Sequence, residues 1–338
     1  MDNETSMSAQ PEQLHLPPKL GEHVAAAYQH GELALPDPFP LESGEQLRHA
    51  TLAWQCSGPA DAPLLIVLGG ISAHRRVCTA DGRGWWEAQC GEGRALDTLR
   101  YRVLGIDWLG GVDASTGPRD ADFPQISSTD QARALLLLLN RLGVRRVHLL
   151  VGASYGGAVA QHLAALLGER LRHLVLLSAA HRSARFALAL RHVQRTILEL
   201  GGDSRAALAL ARSLAVLGYR TPEGIEQRFG TDNGDDALAW LAHHGASFSA
   251  RFNPSAYRCL GGSLDRHAID PATIRVPTTL FAVREDLIVP LSLLRDYASR
   301  AGGPCELVEI SSEYGHDAFL KEVAGVAAVL QSALEDKA

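Results

Sequence analysis

The segment Val147-His-Leu-Leu-Val-Gly-Ala-Ser-Tyr-Gly-Gly-Ala-Val-Ala160 constrains the fold of this chain more than any other. An apolar run from Val147 to Val151 leads into Gly152-Ala153-Ser154-Tyr155-Gly156, and an Ala/Leu-rich helical pattern continues to Leu167. This is a G-x-S-x-G pattern set between a buried strand and a helix, the sequence form of a nucleophile elbow. A serine there sits on a tight, strained turn with its side chain clear of the backbone. The small residues at 152, 156 and 157 let strand and helix approach closely. The helix N-terminus adds partial positive charge and unpaired N–H groups beside the serine oxygen. The plainer alternative is a buried strand–turn–helix with an inert serine.

The rest of the chain supplies a frame for such an elbow. Leu64–Leu68 lacks alternation and ends in Gly69-Gly70, as a strand buried on both faces does. Residues 101–107, 171–178, 278–283 and 306–310 read as further strands, with a weaker strand near 46–55. Residues 127–142 read as a helix, started by Ser128 or Thr129 and stopped by Gly143. Residues 319–334 read as a closing helix. From 182 to 266 helical segments (184–200, 205–217, 235–249) follow one another without a buried strand, which predicts a helical lid inserted into an α/β core of residues 36–181 and 267–338. Strands alternating with helices imply a mostly parallel sheet with right-handed crossovers. Residues 1–35 are expected to form a poorly ordered extension.

With 338 residues, one large α/β domain carrying an insertion is affordable. The net charge of −6 argues against non-specific nucleic-acid binding. No apolar run approaches the ~18 residues needed to span a bilayer, and Met1-Asp-Asn-Glu-Thr-Ser is too acidic for a secretory leader. Five scattered cysteines without a C-x-x-C pair fit a reducing, cytoplasmic compartment and no disulfide framework. No His/Cys/Glu set has metal-ligand spacing, and no dinucleotide or Walker glycine motif occurs.

A serine nucleophile needs a base, and the base an orienting acid, the two following in the order acid then histidine at strand ends. Asp286 follows the strand 278–283 and His316 follows the strand 306–310, so Ser154, Asp286 and His316 form the candidate catalytic set. Glu285 is the rival acid and Asp317 its rival beside the base; His181, His243, His244 and His267 are read as surface or pocket-lining. For an oxyanion hole, the Tyr155 amide and the Ile71 amide, in the loop after Leu68, are the expected backbone donors. Gly69-Gly70 is also a plain strand terminator.

Five motifs in order, Gly84-Trp-Trp-Glu, Gly91-Glu-Gly-Arg-Ala-Leu-Asp97-Thr, Ser115-Thr-Gly-Pro118, Phe123-Pro-Gln-Ile126 and Tyr314-Gly-His-Asp-Ala-Phe-Leu320, are far more specific than the elbow. From about residue 40 onward the chain resembles the homoserine O-acetyltransferases of methionine biosynthesis. The resemblance implies an α/β-hydrolase fold with a helical lid and a cytoplasmic acyltransferase, a homodimer in many relatives. It implies no bound cofactor, acyl-CoA as co-substrate and L-homoserine as acceptor, linked by a ping-pong route through a Ser154 acyl-enzyme. It also implies substrate contacts from Arg195, in a Gln-Arg pair, and from Asp317. Tyr155 and Ala158 stand where many relatives carry methionine. Relatives use acetyl-CoA or succinyl-CoA. Succinyl users tend to carry an arginine just after the acid, where this chain has Leu287 and Ile288; acetyl-CoA is therefore favoured, with Arg284 and Arg295 keeping succinyl-CoA open. Serine or another hydroxyl as acceptor, or water as in an esterase, are the alternatives.

Overall fold

A computed structural model of the chain describes residues 28–118, 122–230 and 234–335. Eight strands form one sheet: β1 (Tyr28–Ala34), β2 (Thr51–Ser57), β3 (Leu64–Leu68), β4 (Arg102–Ile106), β5 (Leu149–Ala153), β6 (Leu174–Leu177), β7 (Thr278–Val283) and β8 (Cys305–Ile310). Their spatial order is β1-β2-β4-β3-β5-β6-β7-β8. β1 pairs antiparallel with β2, and β2 antiparallel with β4; all later neighbours are parallel. Two short ribbons, Phe39–Pro40 with Gln46–Leu47 and Cys90–Gly91 with Leu96–Asp97, lie outside the sheet.

The absence of alternation in β3 and β5 has a direct cause. Leu64, Ile66, Leu68 and Leu150 pack on one face of the sheet, with Leu135 and Leu163 from the covering helices. Leu65, Val67, Leu149 and Val151 pack on the other, with Trp86 and Leu330. Each face is covered, so every position of these strands wants an apolar side chain. The covering helices are α1 (Ser128–Arg141), α2 (Tyr155–Leu167), α8 (Leu291–Arg300), α9 (Ala318–Lys321) and α10 (Val323–Leu334). α1 begins with a reciprocal capping box between Ser127 and Asp130. Ser127 rather than Ser128 or Thr129 is thus the cap.

Between β6 and β7 run α3 (Arg185–Leu200), α4 (Arg205–Tyr219), α5 (Pro222–Phe229), α6 (Gly234–Ser249) and α7 (Pro254–Arg266). They carry their own apolar cluster of Leu198, Leu208, Ala211, Phe248 and Tyr257, against which Ile71 of the core also packs. Two expectations need correction. The predicted extension is not unstructured to residue 35: Tyr28–Ala34 is a full edge strand whose register runs from Tyr28 opposite Ser57 to Ala34 opposite Thr51; residues 1–27 lie outside the described residues. The closing helix is interrupted at Glu322, whose non-helical ψ of 63° separates α9 from α10.

Candidate active site

β5 ends at Ala153 and α2 begins at Tyr155, leaving Ser154 alone to make the turn. Its φ of 52° and ψ of −115° are values that L-residues rarely adopt, a local strain of roughly 1–3 kcal/mol held by the surroundings. The Ser154 amide donates to the Leu177 carbonyl at 3.0 Å, and its carbonyl accepts from Gly157 at 3.0 Å. Gly156 cannot be replaced without moving the sheet: a Cβ there would stand 2.2 Å from the Leu68 carbonyl oxygen. Its amide donates to the Gly69 carbonyl at 2.8 Å, fastening the loop after β3 to the elbow.

The partners arrive from the ends of β7 and β8. His316 Nε2 lies 2.9 Å from Ser154 Oγ, and His316 Nδ1 lies 2.8 Å from Asp286 Oδ2. Asp286 Oδ1 accepts the amides of Ile288 at 2.8 Å and Val289 at 2.9 Å, so the carboxylate is fixed by its own turn. Glu285, the rival acid, points elsewhere: it accepts from the Ser311 hydroxyl and from the Ser312 amide at 2.9 Å, tying the two loops together. His316 follows Gly315, whose φ of 52° turns the chain where a Cβ would press on the Tyr219 carbonyl at 2.8 Å. Tyr219 and Phe319 flank the imidazole.

Burial depresses the proton affinity of His316, but the charge and hydrogen bond of Asp286, helped by Asp317, outweigh it, and Arg191 opposes them; the net direction is upward. Nδ1–H pointing at Asp286 leaves the Nε2 lone pair for the serine proton. The other histidines stand apart. His267 bridges Ser128 and the Ala180 carbonyl and burial lowers its pKa to about 3. His181 pairs with Asp296, and His244 meets Trp240 and His243 edge-on in α6.

Ser154 opens onto a cleft under the lid with two lobes that share Ser154, Tyr219 and His316. The first, a small cavity of about 50 Å³, is lined also by Ile71, Leu190, Arg191, Arg195, Leu264 and Ile288. The second, about 140 Å³, takes in Gly70, Trp85, Arg212, Asp317, Phe319 and Leu320. Arg195 and Asp317, expected to contact substrate, are therefore in different lobes. Arg195 is paired with Asp265, and Asp317 with Arg220 at 3.0 Å. The cation that shares a lobe with Asp317 is Arg212, stacked over Tyr219 and Phe248. Sequence reasoning missed it because an arginine every few positions along a lid helix reads as a solvated face. Arg284 and Arg295 are not in the cleft; both lie against Glu309 on the exposed side of β8. Tyr155, in the first position of α2, has an amide without a helical partner, and Ile71 stands across the elbow in the loop fastened by Gly156. Among the described residues no group of His, Cys, Asp and Glu is placed to hold a metal ion.

The sequence and the architecture match known proteins. The model of the alpha/beta hydrolase fold family matches residues 63–323. A homoserine O-succinyltransferase of Xanthomonas campestris pv. campestris is 40% identical over 317 residues, 90% of this chain and 83% of the relative. A homoserine O-acetyltransferase of Thermus thermophilus is 33% identical over 277 residues, 74% of this chain and 72% of the relative. The crystal structure of a homoserine O-acetyltransferase from Staphylococcus aureus superposes with a TM-score of 0.82 at 26% identity, covering 92% of this chain and 97% of that one. The family match, the shared architecture and likeness along most of the chain make this protein an acyltransferase of the homoserine O-acyltransferase family, built on the α/β-hydrolase fold.

Proposed function

We propose that the protein transfers an acyl group from acyl-CoA to the hydroxyl of L-homoserine, a step of methionine biosynthesis, by a ping-pong route through an ester on Ser154. The observation that carries this reading is the hydrogen-bonded series Ser154–His316–Asp286 at the junction of two lobes, one of which holds charges of both signs. Ser154 Oγ attacks the thioester carbonyl and its proton passes to His316 Nε2. The carbon–sulfur bond breaks, and CoA leaves as the thiol with the proton from Nε2. The homoserine hydroxyl then gives its proton to Nε2 and attacks the acyl carbonyl. The ester bond to Ser154 breaks, and Oγ regains the proton. The amides of Tyr155 and Ile71 stabilise the negative oxygen of both tetrahedral intermediates. Asp286 keeps the imidazole in the tautomer that each step requires.

Homoserine occupies the lobe of Arg212 and Asp317. A guanidinium pairs with its carboxylate, and Asp317 attracts its ammonium once Arg220 yields part of the contact. Arg195, paired with Asp265 in the adjoining lobe that also holds Ser154 and His316, is a second cation within reach of the substrate. The apolar lid shields the ester from water, the property that separates a transferase from a hydrolase. Exposed Phe186, Leu210 and Leu238 on the lid suit a homodimer joined there, and five free cysteines suit a reducing cytoplasm. The test is thiol release from succinyl-CoA or acetyl-CoA with and without L-homoserine. Sustained release is expected only with the amino acid; equal release without it makes water the acceptor and refutes the transfer.

A further inference from the structure

Behind one wall of the cleft, Cys78 and Cys90 bring two sulfurs together. The Cys90 thiol donates to Cys78 Sγ at 2.8 Å, and both residues are buried. A disulfide needs only about 0.8 Å of further approach, its sulfurs standing about 2.0 Å apart. The hydrogen bond from Cys90, aided by one from Ser57, outweighs burial and lowers the pKa of Cys78. Burial instead raises Cys56, and raises Cys259 and Cys305 to about 11 each. Cys78 therefore has the most thiolate character of the five. Tyr28, at the end of the edge strand β1, is 37% exposed and lies near the pair: burial, then Cys78, Glu87 and Cys90, push its phenol up to about 12. The end of an edge strand opens easily and gives a small oxidant a way in. The segment from Cys78 to Cys90 carries both tryptophans of the Gly-Trp-Trp-Glu motif. Trp85 lines the lobe of Asp317, and Trp86 Nε1 donates at 3.3 Å to the carbonyl of Phe319, whose ring meets His316 edge-on. The Trp86 amide donates to the Val77 carbonyl and the Cys90 amide to the Trp86 carbonyl, each at 3.0 Å.

We propose that Cys78 and Cys90 are a thiol switch: hydrogen peroxide joins them in a disulfide that locks the Trp85–Trp86 wall of the cleft, and a dithiol releases it. The Cys78 thiolate attacks one oxygen of the peroxide. The O–O bond breaks, and the departing hydroxide takes up the proton that Cys78 had shed, leaving as water. The sulfenic acid on Cys78 is then attacked by the Cys90 sulfur. The S–S bond forms, the S–O bond breaks, and the hydroxyl leaves as a second water with the Cys90 proton. Two thiols lose two electrons and one peroxide gains them. The remaining approach of the sulfurs is small enough for side-chain rotation, so the Ser154–His316–Asp286 series stays in place. The gain is in the closed loop, which removes open conformations of the segment that holds the tryptophans. In a reducing compartment the bond is short-lived, as a sensor requires.

The full-length protein, treated with hydrogen peroxide, alkylated and digested, tests this by peptide mass. A linked peptide joining Cys78 to Cys90 is expected, with Cys259 and Cys305 still open to alkylation. In the oxidised protein the Trp85 and Trp86 amides should exchange with solvent about 10-fold more slowly or less, and Tm should rise by about 3 °C or more. Dithiothreitol should reverse both. Cys90→Ser keeps a hydroxyl donor beside Cys78 but no resolving sulfur; peroxide should then leave a sulfenic acid on Cys78 that dimedone captures, with no rise in Tm. Should that variant fail to fold, the wild-type linkage and its exchange rates decide alone. Oxidation of Cys259 or Cys305 while Cys78 and Cys90 remain thiols overturns the switch. A linkage that slows no exchange and leaves Tm unchanged overturns the lock. None of these readouts uses turnover, so a failure of the acyl-transfer reading would be seen separately.

Discussion

The Tyr155 hydroxyl lies 2.9 Å from Ser263 Oγ, joining the residue that follows the nucleophile to the last helix of the lid. Gln131 of α1 donates to the same hydroxyl at 3.2 Å, and Trp108 packs edge-on against the ring. A methionine here, as in many relatives, would fill the space without this bridge. Tyr155→Phe should keep the backbone amide and most of the activity but leave buried Ser263 and Gln131 short of a partner, lowering stability by about 1–2 kcal/mol in denaturant titration. Unchanged stability would show that the bridge contributes nothing.

The activity should have an acidic limb set by His316. Its neutral form takes the proton from Ser154, so activity is present above the folded-state pKa and is lost as pH falls through it. Because that pKa is raised, the midpoint in kcat/KM for the thioester belongs above the ordinary 6.5. Asp317→Asn removes a raising charge and should move the midpoint down; Arg191→Gln removes an opposing one and should move it up. Midpoints unmoved by either change would assign the limb to another group.

The proposed homoserine site makes Arg212 the residue whose loss should tell acceptor from donor. Arg212→Gln should raise KM for L-homoserine by about 30-fold or more, while single-turnover acylation of Ser154 stays near the wild-type rate. Loss of acylation in place of acceptor binding would remove Arg212 from the homoserine site.

The elbow tolerates no added methyl. Gly156→Ala brings a Cβ to 2.2 Å from the Leu68 carbonyl and should cost at least about 2 kcal/mol of stability, together with adduct formation on Ser154. A well-folded variant with full acylation would mean that the strand can retreat at little cost.

Asp286→Asn leaves the size of the side chain but allows the wrong imidazole tautomer, so kcat should fall by roughly 10³- to 10⁴-fold with circular dichroism unchanged. A loss under tenfold would point to another acid, with Glu285 the first to examine.

Much of this architecture can be read from the chain because its signals are local. Ser154 follows its strand directly and Asp286 and His316 sit one short loop past theirs, and strand ends are the easiest boundary to see in an apolar run. The same locality explains what the sequence hides. Tyr28–Ala34 alternates only weakly, and pairing with Thr51–Ser57 rather than its own pattern makes it a strand. Pro222–Phe229 and Pro254–Arg266 start at prolines, which serve equally well as loop residues. Which arginine faces which charge depends on helix packing across the lid: Arg195 meets Asp265 across 70 residues of sequence, a relationship no spacing encodes. Arg212 and Arg195 look alike along the chain, and only the folded cleft puts Asp317 beside one of them.

The serine and its base are 162 residues apart, with the whole lid and three sheet strands made between them. During synthesis Ser154 leaves the ribosome long before Asp286 and His316 exist. The β5–β6 half of the sheet can form around it while the hydroxyl has no proton acceptor. Ser154 gains its acid and base together only when β7 and β8 add to the open edge at β6.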